Sequence, residues 1–518
     1  MSWELQKSIA RIQKHVDALD TIDIQPLVRE ADLDALLSET TCRDILGTHL
    51  YLDISNFTRL ASEDVDGDEY KRLIQGLHLY QREVGRIVKD VFGATRIHFQ
   101  GPKLHALIYR PIRKDETLAA RTVLMELVLK DFVASVFNPA FPKLGNFSVA
   151  GGASLGEAVG TRNGVRGDRE LLFLGAPANY AAKIVAGAGS LRLTATLYEA
   201  LPQNLQDICT ACDDGNYQLR SLTRTELDDL LEDYDIAWDR EASAARIEAD
   251  KRAFPLSSIE CSEAHALIDL DSLSIHNNKR VVAASIFADV TGFTAYIDAA
   301  QTADEEETAL RVFHAIRREM SRVVRFDYGA LRIQFQGDRL QGLIHLPKGD
   351  KEAITMQAVE IAAALQASLE HAIKSCLPAA EPLHLAVGID LGRTLVSKLG
   401  TRAHRDRLCL GEAVQQAALN EERIEGEEIG ISKVVYDLLP QDVRAQFTLR
   451  PGSGCYVAYQ LTTEILERLR RARDYDEDKS VTVSPSPGRA TTIARPLAAT
   501  AAAILPARPY GPGACDSQ

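Results

Sequence analysis

Two aspartates in the second half of the chain have the type and spacing of a divalent-metal site. Asp289 lies at the end of an apolar run, 281–290, and Asp338 follows a glycine in a tight turn further along the chain. Two carboxylates a few ångströms apart repel, so one would protonate unless divalent cations, which prefer oxygen ligands, neutralise them. Gly292 lets the following loop, 291–294, turn tightly and offer backbone N–H groups to phosphate oxygens. This pattern predicts a metal–triphosphate site.

The segments that carry these residues occur twice, at a constant offset of 236 residues. FADVTGFT at 287–294 resembles YLDISNFT at 51–58, and RIQFQGDRLQGLIHLP at 332–347 resembles RIHFQGPKLHALIYRP at 96–111. LGEAVQQAALN, from residue 410, likewise resembles LGAPANYAAKI, from residue 174. Three matched blocks at one offset indicate a duplicated domain, and two copies of this length are too few for a solenoid.

The two copies differ at the metal-binding positions. The first copy keeps Asp53, but it has Pro102 where the second copy has Asp338. Proline offers no side-chain ligand, so the first copy lacks half of the carboxylate pair. We therefore interpret Asp53 as structural or vestigial.

The reverse difference appears on the helix that follows the last matched block. The first copy has Asn179 and Lys183, four residues apart and hence on one helix face, where the second has Gln415 and Leu419. An amide and a cation suit a ribose and a transferring phosphoryl group. One composite site at a pseudo-twofold interface, with metal from one copy and cation from the other, explains both losses.

The elements that must position these residues follow the order strand–helix–hairpin–helix–strand in each copy. The hairpin is indicated by the Gly-Asp turn between two apolar runs, and helices by apolar residues at helical spacing. This order predicts an α+β fold of two tandem ferredoxin-like domains that form an intrachain pseudo-heterodimer. The predicted segments are a helical lead-in (1–46), domain 1 (47–222), a charged helical connector (223–280), domain 2 (281–463) and a disordered Pro/Ala-rich tail (464–518).

The composition excludes several classes of function. The chain has 518 residues, 25% of them charged, and a formal net charge of −14. An acidic surface repels phosphate backbones, which argues against general binding of nucleic acid or anionic membranes. The N-terminus has no signal-peptide pattern, and no end carries an apolar stretch long enough to span a bilayer. We expect a cytoplasmic protein.

These motifs resemble those of the class III nucleotidyl cyclases, the adenylyl and guanylyl cyclase superfamily. FADVTGFT is similar to the first metal motif, Gly337-Asp338 to the second, and LGAPANYAAKI to the Gly-x-x-x-Asn-x-x-x-Arg motif. The resemblance implies two divalent cations, Mn²⁺ or Mg²⁺, at Asp289, Val290 and Asp338. It also implies that Asn179 orients the ribose and that Lys183 stands where an arginine acts on the transition state.

The resemblance extends to the substrate-binding residues, with one departure. The loop residues Thr291, Gly292, Phe293 and Thr294 would hold the β and γ phosphates. At the two base-reading positions this sequence has His98 and Leu172 instead of the polar pairs of the purine cyclases. Leu172 cannot hydrogen-bond a base edge, so His98 is expected either to contact a smaller base or to be a packed interfacial residue.

A tandem cyclase with such a reading pair is similar to the bacterial pyrimidine cyclases of antiphage Pycsar systems. That resemblance implies conversion of a nucleoside triphosphate, with UTP favoured, to cyclic UMP and pyrophosphate, and an effector protein reached through the product. Cyclic CMP or cyclic AMP as the product, a non-catalytic nucleotide sensor and a polymerase-type nucleotidyltransferase are the alternatives. A homodimer is left open, and the acidic charge and absence of basic tracts disfavour the polymerase.

Overall fold

The computed structural model describes six stretches of the chain: 2–19, 21–54, 67–163, 170–300, 302–401 and 404–481. Residues up to Leu469 form one compact unit, and the remainder, from Arg470, forms a second that is described only by its first helical turns. Both copies of the repeat lie in the first unit. The contacts between the two copies therefore lie within one compact unit.

The first half of the chain contains nine strands and ten α-helices within its described residues. The strands are β1 (Asp23–Pro26), β2 (Thr41–Ile54), β3 (Thr95–Gln100), β4 (Lys103–Ile108), β5 (Val149–Asn163), β6 (Glu170–Leu174), β7 (Leu191–Leu193), β8 (Cys209–Ala211) and β9 (Tyr217–Leu219). The helices are α1 (Leu5–Ala18), α2 (Leu33–Leu36), α3 (Gly67–Arg86), α4 (Asp115–Phe132), α5 (Asn138–Ala140), α6 (Ala176–Lys183), α7 (Ala195–Glu199), α8 (Gln203–Gln206), α9 (Arg224–Asp233) and α10 (Arg240–Ala253).

The second half repeats this order of elements. Its strands are β10 (Cys261–Glu263), β11 (Asn278–Thr291), β12 (Leu331–Gln336), β13 (Arg339–Ile344), β14 (His384–Thr401), β15 (His404–Leu410), β16 (Glu428–Ile431), β17 (Thr448–Leu449) and β18 (Tyr456–Tyr459). Its helices are α11 (Phe293–Asp298), α12 (Ala303–Arg322), α13 (Lys351–Ala367), α14 (Lys374–Cys376), α15 (Glu412–Glu422), α16 (Lys433–Leu438), α17 (Gln441–Arg444) and α18 (Thr463–Val481).

The two halves build sheets of the same topology. The first sheet runs β3-β4-β2-β5-β7-β9-β8, with β1 beside β2 and β6 beside β5, and the second runs β12-β13-β11-β14-β16-β18-β17, with β10 and β15 in the same places. The central strand of each sheet is antiparallel to the hairpin on one side and to a long strand on the other. The predicted α+β fold of two tandem domains is confirmed.

Apolar residues are exchanged between the two cores, which joins the domains. The buried cluster of domain 1 includes Leu395 and Leu408 of domain 2, and the cluster of domain 2 includes Val159 and Leu172 of domain 1. In the repeat, Val159 is equivalent to Leu395 and Leu172 to Leu408, so the contact between the domains is close to twofold symmetric. Burying such leucines contributes about 1.5–3 kcal/mol each, and the two repeats therefore pack as one body.

The lead-in and the connector are only partly helical, unlike the prediction. Residues 23–26 of the lead-in form β1, and β2 begins at Thr41, ahead of the predicted boundary at residue 47. In the connector, α9 and α10 are helical, and α10 packs on α3, where buried Glu83 accepts from Ser243 and pairs with Arg246. The domain boundaries themselves stay predictions.

The disordered tail was predicted to begin at residue 464, which is too early. Residues 463–481 form α18, because Ile465, Leu466 and Leu469 pack against the core of domain 2 and 470–473 (RRAR) are good helix formers. The rest of the predicted tail, 482–518, lies outside the described residues. None of the helices in the described part of the chain combines the length and apolar character needed to cross a bilayer.

Candidate active site

The two predicted metal ligands meet at one edge of the second sheet. Asp289 lies near the end of the central strand β11, and Asp338 lies in the two-residue turn between β12 and β13. Because β11 pairs with β13, the strand end and the turn are neighbours. Burial raises the pKa of Asp338 well above its usual range, and the negative charge of Asp289 raises it further. Burial also raises the pKa of Asp289.

A third carboxylate and an arginine, which the sequence analysis missed, complete this cluster. Glu421 on α15 lies close enough to Asp289 for their charges to interact, and its pKa is raised to about 8, chiefly by burial. Arg339, next to Asp338, pairs with Glu421 at 2.5 Å and lies over the ring of Phe287. Glu421 stands where domain 1 has Val185, and this difference between the two copies was the sequence signal that could have identified Glu421.

A buried arginine holds the turn that carries Asp338. Arg317 of α12 is only 1% exposed, and it donates a hydrogen bond to the backbone carbonyl of Gly337. The same guanidinium pairs with Glu170 of domain 1, which also accepts from Arg332 at 3.0 Å. Burial lowers the pKa of Arg317 to about 10, so it is still charged at neutral pH. A domain-crossing ion pair therefore fixes the turn that carries Asp338.

The loop after Asp289 has the conformation that the sequence predicted. Gly292 adopts a φ of 88°, which disfavours any residue with a Cβ, and precedes α11. Thr291 is exposed and Thr294 is half-buried, so their hydroxyls face the surface of the loop. Phe293 is instead buried against Phe313, with ring centroids 5.0 Å apart. Val290 is also buried, so both residues can offer only backbone atoms to a ligand.

The helix that carries Asn179 and Lys183 packs against the domain 2 loop region. Both residues are on α6 of domain 1, and α6 contacts α11, the helix that directly follows Gly292. Asn179 is half-buried, whereas Lys183 is exposed at the last position of the helix. The structure thus brings α6 of domain 1 next to the loop that follows Asp289 in domain 2.

The equivalent position in domain 1 has different chemistry. Burial raises the pKa of Asp53, and one of its carboxylate oxygens has no hydrogen-bond partner among the described residues. The charge nearest to it is that of Lys103, which replaces Arg339 and lies close to Glu422 of domain 2. The turn itself is Gly101-Pro102, and the carbonyl of Gly101 accepts from Gln81 at 2.8 Å. At this position a lysine, not a second carboxylate, lies close to Asp53, and its charge offsets part of the effect of burial.

His98 lies within a group of polar and aromatic rings on domain 1. It is half-buried on β3, just after a register shift against β4, and its Nε2 lies 3.0 Å from the amide nitrogen of Gln100. The ring of His105 lies 5.2 Å away in an edge-to-face arrangement, and His105 in turn contacts His49 at 3.0 Å. Burial lowers the pKa of His98 to about 4, so it is neutral at physiological pH. Leu172 is buried in the shared core.

A separate group of potential metal ligands lies at the start of β14. Glu370, His384 and Glu427 bring their ligand atoms within 4.8 Å of one another. All three already have partners, because Glu370 binds Lys374 and His384, and Glu427 accepts from Tyr459 and Gln460. We interpret this group as an ion-paired network.

The acidic cluster fits divalent cations by the chemistry of its donors. Asp289, Asp338 and Glu421 all have raised pKa values because they are buried together, and Arg339 and Arg317 offset only part of their charge. Hard cations such as Mg²⁺ or Mn²⁺ would relieve this repulsion, and class III cyclases in general use divalent metals. The residues present therefore suit the group that the fold implies.

The chain is similar to known nucleotide cyclases. Residues 277–462 match the adenylate and guanylate cyclase catalytic domain family. A uridylate cyclase from Pseudomonas aeruginosa is 28% identical over 90% of this chain and 91% of its own length, and one from Rhizobium sp. is 27% identical over 73% of this chain and 75% of its own. The crystal structure of a class III adenylyl cyclase-like ATP-binding protein from Pseudomonas aeruginosa superposes with a TM-score of 0.78, at 26% identity, over 90% of this chain and 99% of that one.

Proposed function

Because the chain belongs to the class III nucleotidyl cyclases, we propose that it converts UTP to 3′,5′-cyclic UMP and pyrophosphate at one composite site. The observation that carries this proposal is the pairing of Asp289 and Asp338 on domain 2, beside a phosphate-binding loop that contacts α6 of domain 1. Two similar proteins carry the name uridylate cyclase, which supports uracil as the base.

In this reaction the 3′-hydroxyl oxygen of the ribose forms a new bond to the α-phosphorus. The O–H bond of that hydroxyl breaks, and its proton goes to solvent. The bond from the α-phosphorus to the oxygen shared with the β-phosphorus breaks, and pyrophosphate leaves with the electron pair. Such phosphoryl chemistry depends on positioning and charge more than on covalent catalysis.

The residues of domain 2 hold the polyphosphate side of the substrate. Asp289, Asp338 and the backbone carbonyl of Val290 would hold two divalent cations, Mg²⁺ or Mn²⁺, which supply positive charge at the reacting oxygens. The Thr291 and Thr294 hydroxyls and the backbone N–H groups of the loop bind the β and γ phosphates. Arg339 keeps Glu421 paired, so that this third carboxylate does not repel the phosphates.

The residues of domain 1 hold the nucleoside and the reacting phosphoryl group. Asn179 orients the ribose, so that attack within the bound substrate is nearly unimolecular. Lys183 places a cation at the α-phosphoryl oxygens. Neutral His98, with Gln100 beside it, contacts the edge of the base, and Leu172 leaves the other side apolar. This arrangement favours a pyrimidine because it provides fewer partners than a purine edge needs.

The cyclic product would act as a second messenger that switches on a separate effector in antiphage defence. ATP remains the second candidate substrate, because the similar crystal structure is that of an ATP-binding protein. A non-catalytic sensor is disfavoured, since binding a nucleotide without turnover does not need both Asp289 and Asp338.

Incubation of the purified protein with each of the four nucleoside triphosphates and Mn²⁺ tests the proposal. We expect pyrophosphate release and a cyclic monophosphate from UTP, with much less product from CTP, ATP and GTP. A cyclic product made mainly from another nucleotide would contradict uracil specificity. Tight nucleotide binding without any product would show that the protein is a sensor.

Replacing Lys183 tests the contribution of domain 1 to the chemistry. Lys183→Ala should reduce turnover by roughly 10³-fold, because charge supplied to a transferring phosphoryl group is worth that much in related chemistry. Lys183→Arg should retain more activity, since it keeps the cation. Lys433→Ala is the matched control, because Lys433 is an exposed lysine paired with Asp437 on α16. Steady-state kinetics with UTP would measure all three, and unchanged turnover in Lys183→Ala would remove this residue from the site.

A further inference from the structure

The N-terminal helix α1 lines a cavity that the proposed reaction does not use. Its volume is about 450 Å³, within the range of small-molecule sites. Its walls come from three parts of the fold: α1, the segment 38–40 before β2 together with the end of β5, and α12 of domain 2. The cavity therefore lies where the lead-in meets both domains.

The lining of this cavity is strongly cationic in a protein of net charge −14. Among the described residues that line it, five are lysine or arginine and two are glutamate: Arg11, Lys14, Arg162, Arg318 and Arg322, with Glu39 and Glu319. An excess of this size in a concave site favours an anionic occupant.

The arginines differ in how far carboxylates already neutralise them. Arg11 is fully engaged, because it pairs with both Glu319 and Asp327 at 2.5–2.6 Å. Arg318 approaches Glu39 only at 3.8 Å. Arg162 lies 3.5 Å from the carboxylate of Asp34 and donates to the Asp34 carbonyl, but its buried Nε has no hydrogen-bond partner among the described residues. Hydrogen-bonding capacity therefore remains on the wall formed by Arg162 and α12.

A buried histidine supplies the second observation. His15 is only 6% exposed, and it lines the cavity with an Nε2 that has no partner among the described residues. A hydrogen bond to the backbone of His314 holds its ring. Burial lowers the pKa of His15 to about 4, and the nearby Arg318 adds to this effect, so the ring is neutral. A neutral imidazole nitrogen beside several guanidinium groups suits a ligand that has a hydroxyl or N–H group as well as anionic oxygens.

We propose that this cavity binds a nucleotide, with its phosphates against Arg162, Arg318 and Arg322 and its nucleoside portion against His15. The site goes beyond the proposed cyclase reaction and does not depend on it. It also shares α12 with the catalytic site, because Arg317, next to Arg318, holds the turn of Asp338. An occupant held by α12 would thus contact the element that positions the acidic pair.

Calorimetric titration of the full-length protein with ATP, UTP and pyrophosphate in metal-free buffer tests this site. The background variant is Asp289→Asn with Lys183→Ala, which disables nucleotide binding at the catalytic site. We expect one nucleotide to bind per chain in this background, more tightly than pyrophosphate. Absence of saturable nucleotide binding up to millimolar concentrations, or equal binding of pyrophosphate, would overturn the proposal.

Substitutions in the cavity then assign the binding to its residues. Arg322→Ala should weaken nucleotide binding at least about tenfold, as the loss of a charged hydrogen bond implies, and His15→Gln should weaken it by a smaller factor, because His15 is neutral. Arg224→Ala is the matched control, because Arg224 is an exposed arginine on α9 whose nearest carboxylate is 3.8 Å away. Thermal unfolding would verify that each variant is folded. Unchanged affinity in folded Arg322→Ala would show that the ligand binds elsewhere.

Discussion

Asp338 and Pro102 occupy equivalent turns, and this one difference gives the two halves of the chain different chemistry. In domain 2 the turn completes a cluster of buried carboxylates with raised pKa values. In domain 1 the lone Asp53 faces Lys103. The sequence predicted this asymmetry from residue identity alone. It could not predict the partners Arg339 and Glu421, because their approach to Asp289 depends on how α15 packs against the central strand.

The buried carboxyl group of Glu126 in domain 1 lowers the stability of the folded protein. Its carboxylate is fully buried on α4, and neither oxygen has a hydrogen-bond partner among the described residues. Burial raises its pKa well above the usual range, and the nearby Lys130 offsets this only in part. The folded protein prefers the protonated form of this carboxyl group. At low pH the group is protonated in both states and costs no stability. As pH rises above the unfolded-state pKa, ionisation favours the unfolded state and the free energy of unfolding falls.

Glu126→Gln should therefore stabilise the protein at high pH and have little effect at low pH. We expect the variant to unfold a few degrees above the wild type at pH 8, with the difference shrinking towards pH 4. Thermal unfolding measured across this pH range would check the expectation. Glu116→Gln, an exposed residue on the same helix, should show no such trend. A difference between Glu126→Gln and wild type that is independent of pH would contradict the assignment.

At the scale of elements, local patterns predicted the strands and the hairpin well. The β12–β13 turn was correctly predicted, because a Gly-Asp pair between two apolar runs specifies a hairpin without help from distant residues. The helical lead-in, by contrast, was partly wrong, since β1 is a strand only because it pairs with β2. The hydrogen bond from Arg317 to Gly337 was also beyond prediction, as it depends on how α12 lies over the hairpin.

The role of α12 in holding this turn can be tested with two substitutions. Domain 1 shows that a glutamine can make the equivalent bond, because Gln81 donates to the Gly101 carbonyl at 2.8 Å. Arg317→Gln should therefore keep the turn in place better than Arg317→Ala. We expect the alanine variant to need roughly 10–100 times more Mn²⁺ for half-maximal activity, as losses of outer-shell partners of metal ligands do. The glutamine variant should lie in between.

Metal titrations of cyclase activity would separate positioning from general damage. A purely structural role would lower the unfolding temperature without changing the Mn²⁺ dependence. Equal Mn²⁺ dependence in both variants and in the wild type would refute a positioning role for Arg317.

At the scale of the whole molecule, two similar domains are expected to build one active site. Asp289→Asn should lower turnover by at least about 100-fold, because a metal contributes several kcal/mol of charge stabilisation. Asp53→Asn, the equivalent change in domain 1, should leave turnover near the wild-type value. Both assays use UTP and Mn²⁺, with unfolding temperatures as a check on folding. Comparable losses in both variants would mean that the two domains each carry a site.

The docking of α1 has a consequence for how the molecule is made. Its Arg11 and Ser8 bind Glu319 of α12, more than 300 positions later in the chain, and its helix also packs near residues 368–376. Because α1 is synthesised about 300 residues before α12, its binding surface does not yet exist when it leaves the ribosome. Until α12 and residues 368–376 have been synthesised, the nascent chain lacks these contacts, and a chain truncated before α12 would lose them together with Asp338 of the acidic pair.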